Sequence, residues 1–435
     1  MKADAVNPRV AATLVVVRDA PSGLEVLLLR RADKGDHNSG AWVFPGGLVD
    51  AGDRRCHGAC IGLDAARASA LLGVEAGGLD YYVAAIRECF EEAGLLFAVD
   101  EGGQFVNMHG ESGGRLSALR GPLNSGDCEF ADFCRDFGLR LSADRLFYIG
   151  HWLTPKGRAK RFDTRFFLAV LPDGQASVHD EVETVEQVWL PPVAALSPEN
   201  TRRLMTPTRA MIEQLAVFSD TGALLDWARS RREVPCVLPR LATSHVGPCP
   251  ILSNHPAWAE VGRLDPDGRG DAWCEIRPGV PVRLSPGVLR LSAGESGCHS
   301  YLVDVGRNEW AVIDPGPRGE DHLNAVIAAA PGPIRWIFLT DGEAEQLESA
   351  ARLQAHTGAQ VHGPQSHNGV EPATTLRAFP GPTGNAMSYL LVREKILFAG
   401  AQAVPRAWLA EQDVAWLAPR QGFLVTLLST TKEKR

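Results

Sequence analysis

Three glutamates and one arginine stand close together in the run Arg87-Glu-Cys-Phe-Glu-Glu92. At about 100° per residue of helix, Glu91 lies about −60° and Glu92 about +40° from Glu88, so the carboxylates share one arc with Arg87 beside them. Ile86, Cys89, Phe90 and Ala93 fall on the opposite side, a stripe suited to packing on a sheet. Gly94 follows, the residue type that closes a helix in the left-handed conformation. Like charges so placed weaken a helix by a few tenths of a kcal/mol per pair. A hard divalent cation such as Mg²⁺ or Mn²⁺ reverses that penalty, because it takes oxygen ligands. The competing reading is a solvated acidic face with an Arg87–Glu91 pair.

The elements that must position these groups lie upstream. Ala41-Trp-Val-Phe44 reads as a strand running into Pro45-Gly46-Gly47, a tight bend whose backbone can approach a ligand closely. Together, Gly47, Asp53, Arg87, Glu88, Cys89, Glu91, Glu92, Gly94 and Leu95 resemble the Nudix box. Asp53 stands where glutamate is usual, and residues 54–86 replace a much shorter spacer. The resemblance implies metal-dependent hydrolysis of a phosphoanhydride bond. The Gly47 carbonyl, Glu88, Glu91 and Glu92 would hold Mg²⁺ or Mn²⁺, and Arg87 would orient the glutamates by pairing with Glu91 or Asp53. It also requires the two halves of the box to be spatial neighbours, with the insert looping outward. Within the insert, Leu63 to Leu72 reads as a short helix, either a cap over the site or a surface excursion.

Further segments narrow the resemblance. Val10–Val17 and Leu24–Leu29 are apolar β-rich runs joined by Ala20-Pro-Ser-Gly23, a hairpin. Leu27, Leu28, Arg31, Ala32, Gly40 and Phe44 to Gly47 fall in register with the signature of Nudix enzymes that cleave coenzyme A, although Leu29 and Asp36 depart from it. Arg161-Phe-Asp-Thr-Arg-Phe-Phe167, with the long insert, resembles the Nudix branch containing acyl-coenzyme A diphosphatases. Arg161 and Arg165 share a strand face with Asp163, either gripping substrate phosphates, as Arg31 would, or forming a structural network. Glu183 or Glu181, in the loop before Val188-Trp-Leu190, is the candidate general base or extra metal ligand; the sequence does not choose between them. Residues 100–127 are Gly-, Ser- and Asn-rich and read mostly as loop.

From Val234 prolines recur and periodicity fades, which places a linker at 234–284 after a domain at 1–233. Residues 285–435 resemble the metallo-β-lactamase fold in element order, with Ile313-Asp-Pro-Gly-Pro317 at its early strand-turn. Where its zinc motif should begin, after Phe338-Leu-Thr340, the chain has Asp341, Glu343, Glu345 and Gln346. Gly381-Pro-Thr383 and Ala401 replace later ligands. The expectation is an α/β architecture: a Nudix α/β/α sandwich followed by a metallo-β-lactamase-like αβ/βα sandwich without its zinc. That second domain would pack, dimerise or sense a ligand.

Length and composition agree with this division. The 435 residues exceed what one core usually holds. A net charge of −8 argues against broad binding to nucleic acid or acidic membranes, while leaving room for one small anionic substrate held by local cations. Nine cysteines without a Cys-x-x-Cys pair fit reduced thiols in a cytoplasmic protein better than disulfides or zinc. The functional expectation is a diphosphatase acting on coenzyme A, acyl-coenzyme A or a related nucleoside diphosphate derivative. Its rivals are a non-catalytic sensor that uses the same pocket, and hydrolase activity in the second domain.

Overall fold

The computed structural model describes residues 6–33, 39–294, 296–364, 375–380, 385–401 and 403–427. Asp36 and the Gly381–Thr383 segment lie outside them. The chain divides into two units, Met1–Leu238 and Pro239–Arg435, both α/β.

In the first unit, β1 (Arg9–Ala20) and β2 (Gly23–Arg31) form the expected hairpin, with Ala20 opposite Gly23. They are followed by β3 (Trp42–Val43) and β4 (Gly46–Leu48), the short ladder β5 (Ala98–Val99) with β6 (Arg140–Leu141), then β7 (Phe147–Leu153), β8 (Phe162–Val170), β9 (Thr184–Leu190) and β10 (Cys236–Val237). The main sheet runs β10-β7-β8-β1-β2-β3, with β4 also paired to β1 and β9 to β2. β1 and β8 are parallel, which demands a long crossover, and the helices supply it. These are α1 (Ala65–Leu72), α2 (Gly78–Ala93), α3 (Gly110–Ser117), α4 (Arg120–Ser125) and α5 (Phe130–Asp136); α6 (Pro192–Leu196), α7 (Thr206–Leu215) and α8 (Thr221–Ser230) come after the sheet's last long strand.

The central helix α2 is longer than its charged end. It begins inside the expected outward loop, so the second half of the insert is helix and not excursion. Tyr82, Val83, Ala84 and Ala85 are buried there. Ile86, Cys89, Phe90 and Ala93 are fully buried in one cluster with Leu14, Val16, Leu27, Leu29 and Phe167, so the predicted stripe does face the sheet. The first half of the insert joins the same core through Cys56, Ala68 and Leu72. Residues 100–127 also depart from expectation, because they contain α3 and α4. Gly and Ser mask the helical pattern there, and buried Leu116 and Leu123 fix both helices to the core.

In the second unit, the expected linker is a correction. Residues 239–284 include the hairpin β11 (Arg240–Ser244) and β12 (Gly247–Ile251), then α9 (Trp258–Leu264), with their own cluster of Ala242, Ile251, Ala257 and Val261. Fully buried Glu260 accepts from Arg290 at 2.6 and 2.9 Å and from the Leu424 amide at 2.7 Å, which ties this segment to the sandwich. Prolines hid the hairpin because Pro248 and Pro250 sit in an edge strand.

The sandwich itself has one sheet of β13 (Val282–Ser285), β14 (Val288–Ser292), β15 (His299–Gly306), β16 (Glu309–Ile313), β17 (Ile334–Phe338) and β18 (Gln360–His362). The second comprises β19 (Leu376–Pro380), β20 (Met387–Leu391), β21 (Ile396–Phe398), β22 (Trp416–Ala418) and β23 (Val425–Thr426). Val303, Ile313, Phe338, Tyr389, Leu391 and Phe398 fill the space between the sheets. α10 (Glu320–Ala329) and α11 (Ala344–Thr357) cover the outer face of the first through Leu323, Val326, Ala350 and Leu353. α12 (Arg406–Glu411) covers that of the second through Leu409. The result is the expected αβ/βα layering.

Candidate active site

The two halves of the box meet. β4 pairs with β1 so that Gly47 stands opposite Ala12, and α2 lies against the same strand. A side chain on Gly47 would put its Cβ 2.5 Å from the Glu88 carboxylate. At Gly46 (φ 157°) a Cβ would meet the Ala12 carbonyl oxygen at 2.5 Å, so the bend must be glycine for the backbones to approach. The Gly46 amide donates to Glu92 at 2.8 Å. The sequence thus builds a floor of backbone under the acidic arc.

Arg87 holds the arc together. It donates to both oxygens of Asp53 (2.8 and 3.2 Å), to Glu88 (2.8 Å), to Glu91 (3.0 Å) and to the Leu48 carbonyl (2.9 Å). The sequence offered Glu91 or Asp53 as its partner; the structure has both. Burial pushes the Asp53, Glu88 and Glu92 carboxyls up from their ordinary values, and lifts Glu91 to about 7. Arg87 opposes the rise at the first, second and fourth of these, while Glu88 adds to it at Glu91 and Glu92. Burial alone would lower the Arg87 guanidinium, but Asp53, Glu88 and Glu91 more than reverse that.

These groups border a cavity of about 1130 Å³. Its walls also include Arg31, Glu183, Asp50, Asn124, Phe162 and Thr164. Glu183 lies near enough to raise both Glu88 and Glu92 electrostatically. Its loop is set by Asp180, which accepts from the amides of Glu183 and Thr184 and from the Thr184 hydroxyl. Glu181 is exposed, in the left-handed region (φ 64°), and does not line the cavity.

Arg161 and Arg165 are a correction. Neither lines the cavity: Arg161 immediately precedes β8 and Arg165 lies within it, while the alternate positions Phe162 and Thr164 take the lining places. Arg161 is buried and donates to the carbonyls of Thr154 and Val6. Arg165 is buried against Asp163, which also bonds His151, and lies over the Tyr81 ring. Cations that do line the cavity and were missed are Arg9, Arg158 and Lys160. The signal was the basic turn Lys156-Gly-Arg-Ala-Lys160, which runs directly into the arginine run that drew attention.

The donors fit a hard divalent ion in kind. Of four carboxylates, three of them buried and Glu88 nearly so, Asp53, Glu88 and Glu91 share one guanidinium and Glu92 has only the Gly46 amide, which leaves surplus negative charge. Their present partners are Arg87 and Gly46, and among the described residues no three acidic, imidazole or thiol groups form a ready metal cluster. To hold an ion, Glu88 and Glu91 would have to share themselves between it and Arg87.

In the second unit, the positions of the expected zinc motif hold an ion pair. Arg420 donates to Asp341 at 3.0 Å and to Glu343 at 2.9 Å, and Glu345 accepts from the Arg318 amide. Buried Asp314 is satisfied by the Thr340 amide and hydroxyl at 2.8 and 2.7 Å. A guanidinium thus supplies the charge that a cation would have brought. Among the described residues no helix is long and apolar enough to cross a membrane.

Comparison with known proteins adds the following. Residues 63–209 match the family model of the NUDT19 Nudix domain, beginning within the insert. The chain is 26% identical over 286 residues to acyl-coenzyme A diphosphatase NUDT19 of Xenopus laevis, which spans 58% of this chain and 74% of that one. Among solved structures it is similar to a NUDIX hydrolase from Alicyclobacillus acidocaldarius (26% identity, TM-score 0.43), over 51% of this chain and 96% of that one. It is also similar to ETHE1 from Myxococcus xanthus (19% identity, TM-score 0.26), over 33% of this chain and 81% of that one. The matched segment contains α2 with its glutamates and Glu183, and the bend that completes the box precedes it; the first unit carries a Nudix hydrolase domain of the NUDT19 type.

Proposed function

We propose that the first unit hydrolyses the diphosphate bond of coenzyme A or its acyl derivatives, using Mg²⁺ or Mn²⁺ held by Glu88, Glu91, Glu92 and the Gly47 carbonyl. The observation that carries this reading is the closeness of Gly47 to Glu88 across a long insert, on the edge of a cavity large enough for a nucleotide. The relatives named acyl-coenzyme A diphosphatase support the substrate class. When bound, the ion supplies Lewis acidity and neutralises charge on the diphosphate. Arg87 keeps Glu88 and Glu91 aimed at one point and prevents their carboxyls from turning into solvent. Glu183, in the cavity wall and close enough to Glu88 and Glu92 to act on both, accepts the proton of the attacking water. Arg31 steadies diphosphate oxygens beside Glu92. Water attacks one phosphorus, the bridging P–O bond breaks, and the products are 3′,5′-ADP and a phosphopantetheine.

The test is turnover. With Mn²⁺ the purified protein should release 3′,5′-ADP from coenzyme A, and Glu92→Gln should reduce kcat by roughly a hundredfold or more. Hydrolysis of ADP-ribose but not of coenzyme A would overturn the substrate and keep the reaction. Binding of both without turnover would make the domain a sensor.

A further inference from the structure

The cavity has two chemically opposite ends. At one, the carboxylates of α2 meet the Gly46-Gly47 bend. At the other stand Arg9, Arg158 and Lys160. Period two along β1 brings Arg9, Ala11 and Thr13 to the cavity wall, and along β8 it brings Phe162 and Thr164. Arg9 pairs with Phe162 in the parallel ladder, and its amide donates to the Arg161 carbonyl at 2.9 Å, so the turn carrying Arg158 and Lys160 ends beside it. Gly47 pairs with Ala12. At the usual rise per residue, Arg9 is thus about 10 Å along the strand from the acidic floor.

None of these three cations has an ion-pair partner among the described residues, although the chain carries an excess of acids. The nearby rim acid Glu129 is taken by Arg55 at 2.5 Å, and Asp50 accepts from the Gly52 amide at 2.7 Å. Three unpaired cations at one end of a cavity whose other end handles a diphosphate call for a second anion on the same molecule. Phe162, level with Arg9 in the wall, offers a flat apolar surface beside the cationic end.

We propose that Arg9, Arg158 and Lys160 form a subsite for a phosphomonoester carried on the ribose of the substrate, one sugar away from the diphosphate. The inference rests on the diphosphatase reading above and adds the group by which the enzyme selects among nucleoside diphosphate derivatives. Guanidinium and ammonium groups suit a dianionic phosphate, which a dephosphorylated analogue lacks. The phosphate could be the 3′-phosphate of coenzyme A or the 2′-phosphate of a dinucleotide such as NADPH; both present the same chemistry.

The experiment has two arms on the full chain. In the first, kcat/KM is compared for coenzyme A against dephospho-coenzyme A, and for NADPH against NADH, in the wild type and in Arg158→Ala/Lys160→Ala. The preference of the wild type for the phosphorylated member should shrink by roughly ten- to a hundredfold in the variant. The charge-keeping exchange Arg158→Lys/Lys160→Arg should retain most of it. The pair that shows the preference identifies the source of the phosphate. In the second arm, thermal melts without divalent ion use 3′,5′-ADP, 2′,5′-ADP and AMP as probes. A bisphosphate should raise Tm more than AMP in the wild type and no more than AMP in the alanine variant. An unchanged preference ratio together with an unchanged difference between bisphosphate and AMP overturns the subsite. Absence of turnover on every substrate defeats the diphosphatase reading instead, and the melts still decide the subsite.

Discussion

Arg87 spends its donors on three acids and one carbonyl, so it carries both the geometry and the charge balance of the acidic arc. Lysine keeps the charge but cannot fork between Asp53 and the glutamates. Arg87→Lys should therefore destabilise the first unit by about 2–4 kcal/mol, because almost fully buried Asp53 loses its bidentate partner. Urea unfolding monitored in the first unit checks this; an unchanged midpoint would show that Asp53 finds another partner. His299 allows a pH prediction in the second unit. Burial, helped by Arg290, lowers its value from 6.5 to about 4, and its ring bonds the Gly422 carbonyl at 2.7 Å. Between pH 6.5 and 4 the unfolded chain binds a proton that the folded one refuses. Stability is complete above 6.5 and declines as pH falls through that window, by an amount on the order of a few kcal/mol. Titrating Tm of the wild type against His299→Gln should show a shallower acid limb in the variant. Residue-scale legibility was uneven for a physical reason. The glutamates, Arg87 and Gly47 follow from helix and turn geometry within short runs. Period two placed Arg161 and Arg165 on one face, but only the packing of β8 says which face meets the cavity, and the answer favoured Phe162 and Thr164.

At the scale of elements, the bend and α2 form one device, and its two glycines have different duties. A Cβ at Gly46 collides with β1 backbone, whereas at Gly47 the atoms it meets first belong to the Glu88 side chain, which can move. Gly46→Ala should therefore lower Tm without metal, by more than Gly47→Ala does. Gly47→Ala should leave the fold nearly intact and remove most of the stabilisation that Mn²⁺ gives. Melts with and without Mn²⁺ separate the two, and equal behaviour of the variants would break the assignment of Gly47 to the site. The stripe of α2 was readable because an apolar face at helical spacing has few alternatives. The start of α2 was not. Glycine is a weak helix former, yet Gly77 takes the left-handed conformation at the helix entrance (φ 78°), and a Cβ on Gly78 would collide with Ser69 of α1. Tertiary contact between two helices, invisible in a linear pattern, set that boundary. The same holds for α3 and α4, whose weak propensity is outweighed by burial of Leu116 and Leu123.

For the whole molecule, the division into two units rests on separate cores. Tyr82, Phe90, Phe97 and Phe167 centre one, and Tyr301, Phe338, Tyr389 and Phe398 centre another. The boundary was legible as a change of texture near Val234, but the structure moves it to Leu238 and turns the proline-rich stretch into part of the second unit through the Glu260–Arg290 pair. That pair is buried, so removing one partner alone should cost about 3–5 kcal/mol in the second unit. Each core also answers a different chemical signal. On the proposed reading, the surplus carboxylates of the first unit would answer to divalent ion, by mass action on its folded state. His299 in the second unit responds to acid. Calorimetry of the full chain should accordingly show two transitions. Mn²⁺ at pH 7 should raise one of them and leave the other in place. Lowering the pH from 6.5 to 4, or Glu260→Gln, should lower the transition that Mn²⁺ does not move; acid also protonates the first unit's carboxylates, so Glu260→Gln is the cleaner of the two. A single transition that rises with Mn²⁺ and falls with Glu260→Gln would mean that the units unfold together, and the second unit would then be part of what holds the acidic site in shape.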